Sequence, residues 1–159
     1  MKENIFMRVK TLIIIFLFVV SVSCDKNQET TGRDMEAMDM EAMPSDNLNE
    51  PRLTQQGNFQ VSINPELNPV PLNQIHSWIL HLETPQGEVV NEAEVSIFGG
   101  MPAHDHGMPT SPQVSQVLGN GDYLIDGVQF QMPGHWIVTL NISANGNSDS
   151  VVFNLILQP

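Results

Sequence analysis

Two imidazoles and two thioethers stand close together in one short stretch of the chain. His104 and His106 are separated by a single residue, and a Met-Pro pair flanks them on each side, beginning at Met101 and at Met108. Imidazole and thioether together are a ligand set typical of copper, and the thioether favours Cu(I). The stretch therefore predicts a copper site. The alternative is a structural crossover whose histidines are simply exposed.

The backbone of this stretch, residues 99–112, is predicted to be a stiff loop. Three prolines and three glycines argue against a regular helix. Each proline also fixes its own φ and restricts the residue before it. In an extended segment, His104 and His106 would project to the same side while Asp105 pointed away.

Two other segments supply further candidate ligands. Met132 lies in another Met-Pro turn, just before a predicted strand that contains Trp136. His76 opens a predicted strand on the same face as Trp78, where a lone histidine is more often a hydrogen-bonded core residue than a ligand. The complete set of candidate metal ligands is His104, His106, Met101, Met108, Met132 and His76. His81 and His135 are predicted to face outward and are left out.

The N-terminus carries the pattern of an export signal. A basic start is followed by an apolar run over residues 12–20 and by small residues that end at Cys24, the only cysteine. The run is shorter than the roughly 20 apolar residues of a transmembrane helix. It resembles a bacterial lipoprotein signal, which implies that residues 1–23 are removed and Cys24 is lipidated. The alternative is an ordinary signal peptide with a buried cysteine.

Residues 24–58 are predicted to be a disordered, acidic tether. They contain no aromatic residue before Phe59, and such a polar composition cannot bury enough surface to offset the entropy of ordering. The tether includes a short duplication that carries four methionines: Met35, Met38, Met40 and Met43. Its thioethers could capture copper loosely, or the duplication could be an accident of low complexity.

From Phe59 onward, apolar and polar residues alternate as they do in half-buried strands. Trp78 and Trp136 fall on the inward faces of their predicted strands. About seven short strands, with no helical period, predict a single antiparallel immunoglobulin-like β-sandwich over residues 59–159.

The charge of residues 59–159 excludes several classes of function. This segment contains no lysine or arginine and has nine carboxylates: Glu66, Glu83, Glu88, Glu92, Glu94, Asp105, Asp122, Asp126 and Asp149. Nucleic-acid binding depends on cationic contacts to phosphate, so it is excluded. No serine or cysteine lies beside a histidine in a recognisable nucleophile motif, and we therefore expect no enzyme.

Four segments resemble the YtkA-like (FixH-like) domain family. They are the stretch Gly-Gly-Met-Pro-Ala-His-Asp-His-Gly-Met-Pro-Thr from Gly99, the tripeptide Gly-Asp-Tyr from Gly121, the segment Phe-Gln-Met-Pro-Gly-His-Trp from Phe130, and Ile-His-Ser-Trp from Ile75. The resemblance covers about residues 70–157. It implies a small β-sandwich in an exported or membrane-anchored bacterial protein. Members of this family are associated with copper handling and with the assembly of haem-copper oxidases.

Two functions follow as expectations. The first is an envelope lipoprotein, anchored through Cys24 on the periplasmic or extracellular face, that binds copper and passes it to a partner protein. The second is a non-catalytic interaction protein without bound metal, in which the loop recognises a partner and assists the assembly of a membrane complex.

Overall fold

The computed structural model describes residues 44–159, which form nine β-strands. The predicted signal peptide, Cys24 and the methionine duplication lie outside the described residues. Within residues 44–159, no helix is long and apolar enough to cross a membrane. The strands are β1 Arg52–Leu53, β2 Gln60–Pro65, β3 His76–Glu83, β4 Glu94–Met101, β5 His106–Gly107, β6 Gln113–Gly119, β7 Asp122–Val128, β8 Gly134–Ala144 and β9 Asn147–Leu157.

The strands form an antiparallel β-sandwich with two halves. One half has the strand order β1-β2-β3-β7-β6, and the other has the order β4-β8-β9, with β5 paired to β4. Between β4 and β6, a single residue pair, Ser96 with Gln113, connects the halves. This confirms the predicted all-β sandwich. Seven strands have six or more residues, which is the number of strands predicted. The other two, β1 and β5, have two residues each.

The core follows directly from the alternating pattern of the sequence. Successive residues of a strand point to opposite faces, so every second residue of β3 and β8 can be apolar and buried. Trp78 and Leu80 of β3 and Trp136 and Val138 of β8 are fully buried, and they belong to one hydrophobic cluster. The predicted register of both long strands is therefore confirmed.

Two tight turns place the strand ends as their sequences predict. Asn145 and Gly146 join β8 to β9 with φ values of 53° and 77°, the positive values of a type I′ hairpin turn. Gly121 has φ 82° at the start of β7, and a Cβ there would lie 2.6 Å from the carbonyl oxygen of Leu82. Glycine is required at this position both by its dihedral angle and by this close approach.

The folded part begins earlier than the predicted boundary at Phe59. Residues 44–58, which we call the N-terminal strap, run from the β9 edge to β2. Leu48 is 6% exposed in the core, and β1 pairs with β2 inside the segment predicted to be disordered. The backbone of Asp46 donates to the carbonyl of Asn154 at 2.7 Å, so the strap covers part of the β9 edge. The sequence-based boundary was wrong because specific polar contacts and one buried leucine, Leu48, fix the strap, and the overall composition does not reveal them.

Arg52 and Asp149 fasten the strap to β9. Arg52 forms an ion pair with Asp46, donates to the carbonyl of Val152 at 2.6 Å and lies 4.9 Å from the centre of the Phe153 ring. The Asp149 carboxylate accepts hydrogen bonds from the Thr54 hydroxyl at 2.6 Å and from the backbone N–H groups of Gln56, Asn58 and Ser150. Burial alone would raise the pKa of Asp149, but these bonds together lower it.

Candidate metal site

The stretch that carries the histidines is a β-hairpin. Gly100 pairs with Gly107 and Met101 with His106, so β4 and β5 enclose a turn over residues 102–105. Asp105 has φ 50°, a left-handed conformation that aspartate tolerates in turns. We call residues 99–108 the Met-His hairpin. The prediction of a loop is therefore correct only for residues 102–105, because the residues on either side of them pair as strands.

The two histidine rings lie against each other at the end of this hairpin. Their centroids are 5.7 Å apart and their planes differ by 21°, so the rings are stacked. His104 is exposed, whereas His106 is half-buried with its ring 6.0 Å from that of Trp136. The expectation that extended backbone would align them is wrong, since Asp105 lies in a turn. The turn brings the rings together instead.

The two methionine side chains of the hairpin are buried to different extents. Met101 is 2% exposed and belongs to the core. Met108 is half-buried and packs over Gly99, where an added Cβ would lie 2.9 Å from the Met108 Cγ and 3.1 Å from its sulfur. Met101 is the cross-strand partner of His106, so their side chains share the inner face of the hairpin. The pairing therefore puts a thioether and an imidazole on one face of the hairpin.

Met132 approaches the same rim from the link between β7 and β8. Its side chain is half-buried against the core, and its carbonyl oxygen accepts a hydrogen bond from the Trp136 indole at 3.0 Å. This bond ties the second Met-Pro turn to the tryptophan that contacts His106. The hairpin and the β7–β8 link, which are far apart in sequence, thus both contact Trp136.

His76 lies in the interior, in a different setting from the histidine pair. It is 4% exposed, and its ring is 6.1 Å from those of Trp78 and Phe130. Its Nδ1 is 3.0 Å from the Gln74 carbonyl oxygen, which makes Nδ1 the donor and leaves a lone pair on Nε2. That Nε2 is buried without a hydrogen-bond partner in the described residues.

The strand pairing places His76 at the same end of the sandwich as the hairpin. His76 opens β3 opposite Val128 at the end of β7, while Gly100 at the end of β4 faces Ile137 near the start of β8. Phe130 connects the two sides, since its ring is 5.1 Å from that of Trp136. All six candidate ligands therefore lie at one end of the sandwich. His76 is buried there, and His104 and His106 lie nearer the surface.

Gln131 is a contact residue that the sequence reasoning missed. Its amide nitrogen Nε2 is 3.2 Å from Nδ1 of His106 and 3.1 Å from the carbonyl oxygen of Gly107. A glutamine beside a Met-Pro turn has no sequence signal that links it to a histidine 25 residues earlier. Only the folding of the β7–β8 link against the hairpin creates the contact.

In residues 44–159, no three His, Cys, Asp or Glu side chains lie close enough to hold a metal ion. His81 and His135 face outward as predicted, and their ring nitrogens bond Asp122 at 2.7 Å and Asn154 at 3.0 Å. The six candidate ligands include thioethers as well as imidazoles, a combination of donors that suits a soft ion.

These features define the class of protein: a small β-sandwich domain with a methionine- and histidine-bearing hairpin at one rim. The family model described as YtkA-like matches residues 53–141, and the chain belongs to that family. The chain is also similar to the crystal structure of a DUF4426 family protein from Pseudomonas aeruginosa PAO1. The two share 16% identity at a TM-score of 0.50, over 69% of this chain and 97% of the other. This likeness supports the fold. No curated protein matches the chain.

Proposed function

We propose that the protein is a copper-binding module of the cell envelope that holds Cu(I) at the Met-His hairpin. The observation that carries the proposal is the stacked pair of His104 and His106, 5.7 Å apart, beside half-buried thioethers at the rim. Two imidazoles with thioethers form a donor set for a soft, monovalent ion. The module binds the ion without catalysing a reaction.

The ligands have different roles in this proposal. His104 is exposed and meets the incoming ion, while His106 is supported by Trp136. Met108 and Met132 are half-buried and supply the thioethers. Met101 is committed to the core and supports the hairpin from below. A zinc site would recruit additional histidine or carboxylate ligands, so the donor set favours copper.

His76 is an additional ligand in this proposal and does not belong to the pair formed by His104 and His106. A histidine that donates through one nitrogen to a backbone carbonyl presents its other nitrogen as a lone pair, as metal-ligating histidines do. His76 meets this condition, because Nδ1 donates to Gln74 and Nε2 has no hydrogen-bond partner in the described residues. Its burial means that the ion reaches it only from the rim, after capture by the hairpin.

The cell envelope is the compartment that this chain suits. The N-terminal pattern that ends at Cys24 resembles a bacterial lipoprotein signal, so the proposed anchor is a lipid on Cys24. Residues 59–159 contain no lysine or arginine, and Arg52 is held in the strap. The negative field of the domain raises the local concentration of cations near the site. The proposed partner is a copper-accepting protein in or near the membrane.

The experiment is a titration of the full-length protein with Cu(I), Cu(II) and Zn(II), compared with the double variant His104→Ala, His106→Ala. We expect the wild type to bind Cu(I) and the double variant to lose binding while its melting temperature stays unchanged. The matched control is the double variant His81→Ala, His135→Ala, which removes two outward histidines and keeps copper binding. Equal copper binding by the wild type and the hairpin variant would contradict the proposal.

A second candidate function rests on a different observation beside the same hairpin. Phe98 is 60% exposed and borders a groove of about 490 Å³ whose wall includes Gly100, Pro102, Ile137 and Thr139. An exposed aromatic residue beside a groove is typical of a recognition surface. In this alternative, the hairpin assists the assembly of a membrane complex without metal. Phe98→Ser would then abolish complex formation, and the wild type would bind no copper.

A further inference from the structure

The Gln131 carboxamide occupies a defined place between the hairpin and the β7–β8 link. Its Nε2 faces two acceptors at once, the Gly107 carbonyl oxygen at 3.1 Å and the His106 Nδ1 at 3.2 Å. Its Oε1 is buried and has no hydrogen-bond partner in the described residues. This half-satisfied amide is unusual, because buried polar atoms are almost always paired.

The Gly107 carbonyl fixes the orientation of the amide. A carbonyl oxygen can only accept, so the Gln131 atom that faces it at 3.1 Å must be the NH₂ group and not Oε1. The NH₂ group has two hydrogens. One is donated to Gly107, and the other points to Nδ1 of His106.

This orientation determines the tautomer of His106. A neutral imidazole has one N–H and one lone pair, so an Nδ1 that accepts a hydrogen bond leaves the proton on Nε2. We propose that Gln131 is a latch that holds metal-free His106 in the Nε2–H tautomer. The only lone pair of the ring is then engaged by Gln131, and neither nitrogen is open to copper.

Release of the latch has a defined proton balance. Copper can bind Nε2 only when that nitrogen gives its proton to solvent and Nδ1 takes one up, so no net proton is exchanged. The new Nδ1–H then has an acceptor ready, because the Gly107 carbonyl oxygen is 3.4 Å away. Gln131 must turn away at the same time. Its unpartnered Oε1 lowers the cost of this movement, since the latched state already leaves one buried acceptor unsatisfied.

The latch is tested without any metal by the nitrogen-15 chemical shifts of the histidine rings in the full-length, metal-free protein. In the wild type we expect Nδ1 of His106 to have the shift of an unprotonated nitrogen and Nε2 that of a protonated one. Gln131→Ala should convert His106 to a mixture of tautomers. The control Gln116→Ala, at an exposed position of β6, should leave the shifts unchanged. An Nδ1–H tautomer in the wild type, or unchanged shifts in Gln131→Ala, would overturn the latch.

The effect on copper rests on the function proposed above and is measured separately. Gln131→Ala should bind Cu(I) about fivefold more tightly than the wild type, which corresponds to the loss of one competing neutral hydrogen bond. Unchanged or weaker Cu(I) binding by this variant would overturn the gating role. A wild type that binds no copper would overturn the proposed function and the gating role together, and the ring shifts would still decide whether Gln131 sets the tautomer.

Discussion

The N-terminal strap and the Met-His hairpin are both additions to the edges of the same sandwich, but they use their polar groups differently. In the strap, Asp46 and Arg52 pair with each other, and Asp149 accepts bonds from three backbone N–H groups and one hydroxyl. In the hairpin, His104 stays exposed. Nε2 of His106 makes no hydrogen bond within residues 44–159.

This difference separates a structural region from a candidate binding region. Polar groups that satisfy one another hold chain segments together and have no capacity left for a ligand. The hairpin holds its shape through backbone pairing and apolar packing, so the His104 imidazole and the Met108 thioether are not needed for hydrogen bonding, and His106 contacts Gln131 through Nδ1. Changes in the strap should therefore affect stability, and changes in the hairpin should affect binding.

The largest effect is expected at the tryptophan on which the hairpin rests. Trp136 is fully buried and its ring contacts both His106 and Phe130. Trp136→Ala should lower the free energy of unfolding by about 3–5 kcal/mol, because it removes a large side chain and leaves a cavity. Urea denaturation followed by circular dichroism measures this loss. A change below about 0.5 kcal/mol would be surface-like and would contradict the assigned register.

The second prediction concerns Asp149, the buried carboxylate that binds the strap to β9. Asp149→Ala leaves the backbone donors of Gln56 and Asn58 without their acceptor, while the Thr54 hydroxyl can still donate to the Phe59 carbonyl oxygen at 3.2 Å. We expect a loss of about 1–3 kcal/mol, the range for buried groups deprived of a hydrogen-bond partner. Copper binding should be unchanged. The control Glu88→Gln, at an exposed position, should change neither property. Altered copper affinity in Asp149→Ala would mean that the two regions are coupled.

The same carboxylates predict how stability depends on pH. The hydrogen bond from Arg52 lowers the pKa of Asp46, and several bonds outweigh burial to lower that of Asp149. A carboxylate with a lowered pKa stabilises the fold above its unfolded pKa of about 3.9, and this contribution is lost as pH falls further. The melting temperature should therefore fall below about pH 4, and less steeply in Asp149→Asn. Equal slopes for the two proteins would count against the role of Asp149.

The sequence predicted the sandwich and its core well, because both depend on a local rule. Alternation over β3 and β8 decides which residues face inward, and Asn145-Gly146 specifies a hairpin through its tolerance of positive φ. These signals lie within a few neighbouring residues. They need no knowledge of how distant segments meet.

The strap and the details of the site could not be predicted, because they depend on distant pairs. Asp149 contacts residues more than 90 positions earlier, and Gln131 contacts His106 across 25 positions. The composition of residues 44–58 resembles that of a disordered segment, yet one ion pair, one buried carboxylate and the buried Leu48 side chain order it. The histidine spacing identified the candidate pair but not the turn at Asp105 that stacks the rings.

The smallest effect on stability is expected at Gly99, and it offers the sharpest test of the hairpin. An alanine Cβ at Gly99 would lie 2.9 Å from Cγ and 3.1 Å from the sulfur of Met108, and closer still to its methyl carbon. Because Met108 is flexible, its side chain can move away, and Gly99→Ala should cost only about 1 kcal/mol, the low end of overpacking. Gly100→Ala is the matched control, since its nearest heavy atom is 3.8 Å away. If the Met108 thioether binds copper, Gly99→Ala should weaken Cu(I) binding and leave Cu(II) binding nearly unchanged, while Gly100→Ala affects neither. Isothermal titration with both ions measures the difference, and equal Cu(I) affinities for the two variants would assign Met108 to packing alone.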